Sequence, residues 1–250
     1  MSHVARTVEG PETPVRRLAI TGVYNLRDVG GYPTAAGGRV RWRTLFRSDA
    51  LHRLDDAGMA TVADLGVRTI LDLRTQLEAE YAPTVLVGTH ARTVHISILA
   101  GDLQNVPVEL AAVYRHFVEK RGDRIGAAVA ELCDPAAYPA LVHCSAGKDR
   151  TGIVIALVLA VLGVPDELIA ADYALSGGYL DEEHTPAIGQ LQASTGLGDQ
   201  LTRALLTSPP QLMLDTLAQV RARGGSVAGY LADHGVGEPD LARLRTRLAE

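Results

Sequence analysis

The chain has 250 residues, is 47% hydrophobic and carries a formal net charge of −5 with a pI near 5.9. That composition suits an ordinary α/β chain with a sizeable core. It excludes a broad basic surface that would track nucleic acid phosphates, so an anion site in this chain must be local.

Residues 1–16, MSHVARTVEGPETPVR, hold Glu9, Pro11, Glu12 and Pro14 without an apolar signal core. They read as a flexible tail before a single domain over 17–250. With no export signal in view, a cytoplasmic setting is expected, and non-standard secretion stays open. Residues 18–23 and 39–46 read as two early strands, with GGYPTAAGG supplying the turn between them. Residues 48–65 read as helical. The run VRTILDL over 67–73 predicts a buried strand that delivers Asp72 at its carboxyl end, and residues 94–98 predict another strand. Helical spacing follows over 107–120, opened by a proline, and over 125–133.

Residues 138–143 predict a strand and residues 151–162 a helix, closed by Gly163 and Pro165. The apolar run over 153–164 covers 12 residues, short of the roughly 20 that a spanning helix needs, so no integral membrane segment is expected. Past Asp166 the pattern is helical: residues 167–175, then helices opening at Pro210, Val227 and Asp240. The glycine-broken stretch 176–208 reads either as a lid near a site or as a plain surface excursion. Strand and helix signals in alternation predict an α/β fold with a central, mostly parallel sheet flanked by helices and a helical C-terminal third.

The strand over 138–143 and the helix over 151–162 enclose the string HCSAGKDRTG, from His143 to Gly152. Ala146 and Gly147 are small enough for the backbone N–H groups to converge on one point. The helix that follows adds unpaired donors and the positive end of its dipole. Arg150 adds a planar fork for two phosphate oxygens. A cysteine at the base of such a cradle, Cys144, is expected to have a lowered pKa and to act as a nucleophile toward a bound phosphoryl group. Only two cysteines occur, Cys133 and Cys144, with no CxxC or Cys/His cluster. Neither a disulfide framework nor a zinc site is expected, and the chemistry calls for no metal or cofactor. Cys133 reads as core, and Tyr32, Tyr81, Tyr173 and Tyr179 read as packing residues rather than a ring-binding pocket.

HCSAGKDRTG resembles the signature loop of cysteine-dependent tyrosine and dual-specificity phosphatases. NLRDVGGY at 25–32, LFRSDAL at 45–51 and LDLR at 71–74 resemble the bacterial, mycobacterial tyrosine phosphatase B-like branch. The resemblance implies a phosphatase acting on phosphotyrosine through a phosphocysteine, with phosphoserine, phosphothreonine and phosphoinositides as further substrates. It implies Cys144 as nucleophile and Ser145, Ala146, Gly147, Lys148 and Arg150 as the phosphate cradle. His143 would order the loop, and Thr151 would hydrogen-bond the thiolate. The general acid falls on Asp149, inside the loop, with Asp102 as rival; Asp72 would orient the loop or a water, or simply pair with Arg74. The Gly147–Lys148 pair is similar to phosphoinositide phosphatases, where the lysine faces a second phosphate; the bland alternative leaves Lys148 solvating the rim. An arsenate reductase or rhodanese-like enzyme and a non-catalytic phosphate-binding module are the alternatives, and the first would need a resolving thiol.

Overall fold

Short aliphatic runs form the centre of the molecule. A computed structural model describes residues 15–84, 86, 88–99, 109–180 and 207–250. Its sheet has the order β1-β2-β5-β3-β4, with β1 Arg27–Asp28, β2 Leu45–Ser48, β3 Thr69–Asp72, β4 Arg92–His95 and β5 Ala140–His143. The last four strands run parallel, and β1 pairs antiparallel with β2 at one edge.

Strands β2, β3 and β5 are buried along their whole length, as a parallel sheet covered on both faces requires. Their side chains alternate between two cores. Leu45, Leu71, Ala140 and Val142 join the large helical cluster, whereas Phe46, Ile70 and Leu141 join a smaller one with Leu26 and Val67. Helices α1 Asp56–Asp64 and α2 Gln76–Tyr81 follow β2 and β3. Helices α3 Leu110–Lys120 and α4 Gly122–Leu132 precede β5. Helix α5 Asp149–Val161 leaves β5 and is apolar almost all round, so it lies buried. Past Pro165 the described elements are all helical, as predicted: α6 Asp166–Tyr179, α7 Pro210–Gly224, α8 Val227–Asp233 and α9 Glu238–Leu248.

Several boundaries differ from the sequence expectation, each for a local reason. Residues 18–23 carry only an isolated bridge between Ile20 and Val23, because the chain doubles back at Gly22 (φ 85°), where a Cβ would stand 1.9 Å from the Arg53 carbonyl oxygen. The expected strand over 39–46 is broken by Arg43 at φ 56°: Arg39 and Val40 make isolated bridges to Pro33 and Ala249, and the strand itself begins at Leu45. The helix expected from residue 48 starts at Asp56, capped by Asp55 accepting from the Gly58 N–H; the stretch before it is loop. The strand expected over 94–98 forms earlier, at Arg92–His95. Ser176, Gly177 and Gly178 continue α6 instead of breaking it. The rest of the proposed lid, residues 181–206, most of the N-terminal tail and Asp102 lie outside the described residues.

The strands are in register at their carboxyl ends, where Ser48 and Asp72 flank His143 and His95 flanks Asp72. The loop after β5 therefore rises from the middle of the sheet's carboxyl edge, where open α/β sheets hold ligands. A buried ion network lies beneath it. Asp172 of α6 accepts from Arg27 Nε at 3.1 Å, Arg47 Nη1 at 2.6 Å and Tyr32 Oη at 3.0 Å, and the three charged side chains are at most 1% exposed. Burial pushes the Asp172 carboxyl up, but the two guanidinium groups outweigh it and hold it well below the usual carboxylate range. Removing the one carboxylate would strand two buried cations. Asp172→Ala should therefore lower the unfolding free energy by about 3–5 kcal/mol in urea titrations; a loss below about 1 kcal/mol would mean that the arginines find other partners.

Candidate active site

The loop from Cys144 to Arg150 is held from outside by its carbonyl oxygens. His143 Nδ1 lies 3.3 Å from the Cys144 carbonyl, and the Ala50 N–H donates to Ser145 O at 3.1 Å. Asn25 Nδ2 donates to Ala146 O at 2.9 Å, and Arg47 Nη2 to Gly147 O at 2.8 Å. The Gly152 N–H closes on Lys148 O at 2.7 Å. A peptide whose carbonyl is drawn outward presents its N–H inward. Among the described residues the N–H groups of Ser145, Ala146 and Gly147 donate to no backbone carbonyl. Gly147 makes the turn possible: its φ is 64°, and a Cβ there would sit 2.3 Å from Ser48 O. Lys148 caps α5 without a side-chain cap hydrogen bond, so the first turn of that helix adds its own donors to the concavity.

The motifs that flank the loop in sequence are its supports. Asp49 accepts from the N–H groups of Tyr24 and Asn25, which fixes the segment that carries the Asn25 amide. Burial pushes Asp49 up to about 6 against those donors. Asp28 accepts from the Gly30 and Arg43 N–H groups at 2.8 Å each, so the unusual Arg43 backbone is held by a buried carboxylate.

Cys144 is 2% exposed at the foot of the loop. Arg150, 9% exposed, lies in a bidentate pair with Glu78 of α2, Nη1 to Oε2 at 2.6 Å and Nη2 to Oε1 at 2.8 Å. Ser145 Oγ donates to the same carboxylate. Burial alone would push Glu78 up and Arg150 down. The pair reverses both, leaving the carboxyl well below its usual range and the guanidinium above its own. Sequence reasoning missed Glu78 and the helix that bears it. The signal was present in Thr75-Gln76-Leu77-Glu78: a capping box forms there, with the Thr75 hydroxyl accepting from the Glu78 N–H and the Glu78 carboxylate accepting from the Thr75 N–H.

Asp149 opens α5 and its Oδ1 accepts from Tyr114 Oη at 2.9 Å, with Lys148 Nζ 3.5 Å away. Lys148 is fully buried and donates to the Thr207 carbonyl at 2.9 Å, which overturns the reading of a solvated rim residue. Thr151 Oγ1 is buried, with no hydrogen-bond partner among the described residues. Asp72 is committed to Arg74, Nη2 to Oδ2 at 2.7 Å and Nε to Oδ1 at 2.9 Å, and stands 3.8 Å from His143 Nε2. The expected pair with Arg74 is formed, and through His143 the carboxylate sits one residue behind Cys144.

The comparisons with known proteins decide what such a loop belongs to: residues 18–250 match the tyrosine phosphatase family. The chain belongs to the tyrosine phosphatase family. The phosphatase is 29% identical over 272 residues to the triple specificity protein phosphatase PtpB of Mycobacterium tuberculosis, covering 90% of this chain and 96% of that one. It is 28% identical over 216 residues to a tyrosine-protein phosphatase of Nostoc commune, covering 82% and 74%. A looser likeness, TM-score 0.41 at 18% identity over 74% of this chain and 93% of the other, links it to the core catalytic domain of the PP-IP phosphatase SIW14 from S. cerevisiae. Among the phosphatase's described residues no helix is long and apolar enough to cross a membrane.

His143 sets a pH dependence for the fold. Burial pushes it down to about 4 against the opposing pull of Asp72, so the folded imidazole is neutral at pH 7. Below its ordinary value of 6.5 the unfolded chain takes up a proton that the folded chain refuses until about pH 4. Stability is thus present above 6.5 and falls as pH drops through that window. The total is up to about 3 kcal/mol. In urea titrations at pH 7 and at about pH 5, His143→Asn should lose less stability than wild type by about 2 kcal/mol, the part of this contribution that lies above pH 5; equal losses would mean that the imidazole is not kept neutral.

Proposed function

We propose that this tyrosine phosphatase cleaves phosphotyrosine through a phosphocysteine on Cys144, with Asp149 as the general acid. The observation that carries the reading is the outward commitment of the carbonyls from Cys144 to Lys148, which leaves the loop's N–H groups and Arg150 for the phosphoryl oxygens. In the first step the Cys144 thiolate attacks phosphorus in line. The S–P bond forms as the bond to the phenolic oxygen breaks, and Asp149 gives its proton to that oxygen. In the second step water attacks phosphorus, its proton passes to the Asp149 carboxylate, and the S–P electron pair returns to sulfur as phosphate leaves. The buried, unpartnered Thr151 hydroxyl supports a role as donor to the departing thiolate. Glu78 supports catalysis by fixing the plane of Arg150.

The triple specificity in the name of the mycobacterial relative supports a wider range of phosphomonoesters, with phosphoserine, phosphothreonine and phosphoinositides beside phosphotyrosine. The buried Lys148, paired toward Asp149, favours a part in the acid's environment over contact with a second phosphate. A reductase is disfavoured by Cys133, a free cysteine at the end of α4 that burial and the Asp240 carboxylate push up to about 11. One apolar cluster running from Val29 to Leu248 supports reading 17–250 as one catalytic domain. A cytoplasmic site of action completes the proposal.

Phosphate release should be measured on phosphotyrosine, phosphoserine and phosphothreonine peptides and on phosphoinositides, with reductant and without added metal. Cys144→Ser should abolish turnover, and Asp149→Asn should reduce it on phosphotyrosine by about 10²–10⁴. Residual turnover by Cys144→Ser near the wild-type rate would sink the covalent mechanism. Binding of phosphate by wild type with no turnover at all would favour the non-catalytic module.

A further inference from the structure

We propose that Tyr114 is the positioning residue of the proton transfer, pinning one oxygen of Asp149 so that the other delivers the proton. The proposal rests on the reading of Asp149 as the acid. An aspartate at the first turn of a helix has its backbone fixed, but two side-chain torsions remain, and a carboxyl group can hold its proton on either oxygen. In this protein the two donors converge on the same atom: Tyr114 Oη at 2.9 Å and Lys148 Nζ at 3.5 Å both address Oδ1. Among the described residues Oδ2 accepts no hydrogen bond. An oxygen that accepts the tyrosine hydrogen bond and faces the ammonium is the poorer place for a proton, so the proton sits on Oδ2 and the group faces one way.

Tyr114 can impose this because its own ring cannot move. It is 1% exposed on α3, edge-on to Tyr173 at 6.0 Å and 73° and tilted against Phe117 at 6.0 Å and 58°. Burial, then the charge of Asp149, pushes its hydroxyl well above the ordinary range, so it keeps its proton and can donate to Asp149. The helix that bears it precedes the loop by some 35 positions, so the acid is oriented by the packed core rather than by the loop that carries it. Removing that hydrogen bond frees the carboxyl torsions without touching nucleophile, arginine or cradle, and misalignment of the proton costs most where the leaving group needs it most.

The test compares kcat/KM, which reports formation of the phosphocysteine, for p-nitrophenyl phosphate and phenyl phosphate. The first leaving group departs with little protonation and the second depends on it. Tyr114→Phe keeps the ring, and it should lose about tenfold or more on phenyl phosphate and less than about threefold on p-nitrophenyl phosphate. The ratio of the two substrates is taken within one preparation, so a smaller folded fraction cannot mimic it. Asp149→Asn should give the same split on a larger scale, and the double variant should be no worse than Asp149→Asn alone. Equal losses on both substrates in Tyr114→Phe, or none, would overturn the proposal while Asp149→Asn still split them. An Asp149→Asn enzyme without a split would overturn the acid assignment itself, and Tyr114's role with it.

Discussion

A loop that offers its N–H groups to an anion must turn its carbonyls away, and each carbonyl turned away needs a donor. That requirement organises the rest of this protein. Beyond His143 and the first turn of α5, the donors are the Ala50 backbone, the Asn25 amide and the Arg47 guanidinium. A carbonyl left without one would cost about 1–3 kcal/mol, so the loop conformation holds only while its supports do. Arg47 is the costly support, a buried cation next to a second buried cation, Arg27. Burial and Arg27 together push Arg47 down, and Asp172 is what opposes them. A carboxylate on α6 thereby sets the shape of a loop between β5 and α5. The network contributes placement more than net stability, because the desolvation of three charges offsets most of their attraction.

The site separates two kinds of electrostatics. The charge of Arg150 is already matched by Glu78, and Lys148 is buried against the Thr207 carbonyl and Asp149. Attraction for an incoming dianion then falls chiefly to the backbone N–H groups and the helix terminus, which are fixed dipoles and need no counter-ion. This reconciles a phosphate site with a chain of net charge −5: the favourable field is confined to a few ångströms of peptide. It also explains why Glu78 is tolerated beside a phosphoryl pocket. Its charge is spent on Arg150 and Ser145, and what remains is orientation of the guanidinium.

The chemistry was legible because it is contiguous. Cys144, the small residues and Arg150 lie in one string between a strand signal and a helix signal, and their meaning follows from local backbone geometry. The partners were not legible, since each arrives across a long sequence gap: 72 positions for Glu78 to Arg150, 125 for Arg47 to Asp172 and 121 for Asn25 to Ala146. Periodicity carries no record of such contacts. Short strands were legible only as solid apolar runs, β3 and β5; the two-residue β1 gives no such run, and β2 was expected to begin too early, at residue 39. The motifs NLRDVGGY and LFRSDAL pointed at the family before their role was visible. In the fold they are the outer brace of the loop. The capping box at Thr75 to Glu78 was readable and went unread, a local signal that would have placed α2 beside β3.

The proposed placing of the acid at Asp149, inside the loop, has a structural consequence. When nucleophile, arginine and acid share one turn of backbone, their spacing is set by the strand-to-helix junction and cannot drift as separate loops move. The same economy leaves Asp149 with few neighbours on that loop to hold its torsions: Ala146 and Gly147 are small, Arg150 is engaged with Glu78, and only Lys148 stands near. Orientation must then be imported from the core. The aromatic cluster of Tyr114, Phe117 and Tyr173 is the nearest rigid body that can supply it, and Lys148, buried rather than exposed, adds the second hold. A loop lysine buried against Thr207 and Asp149 is held away from solvent, and on the proposed reading it belongs to the mounting of the acid.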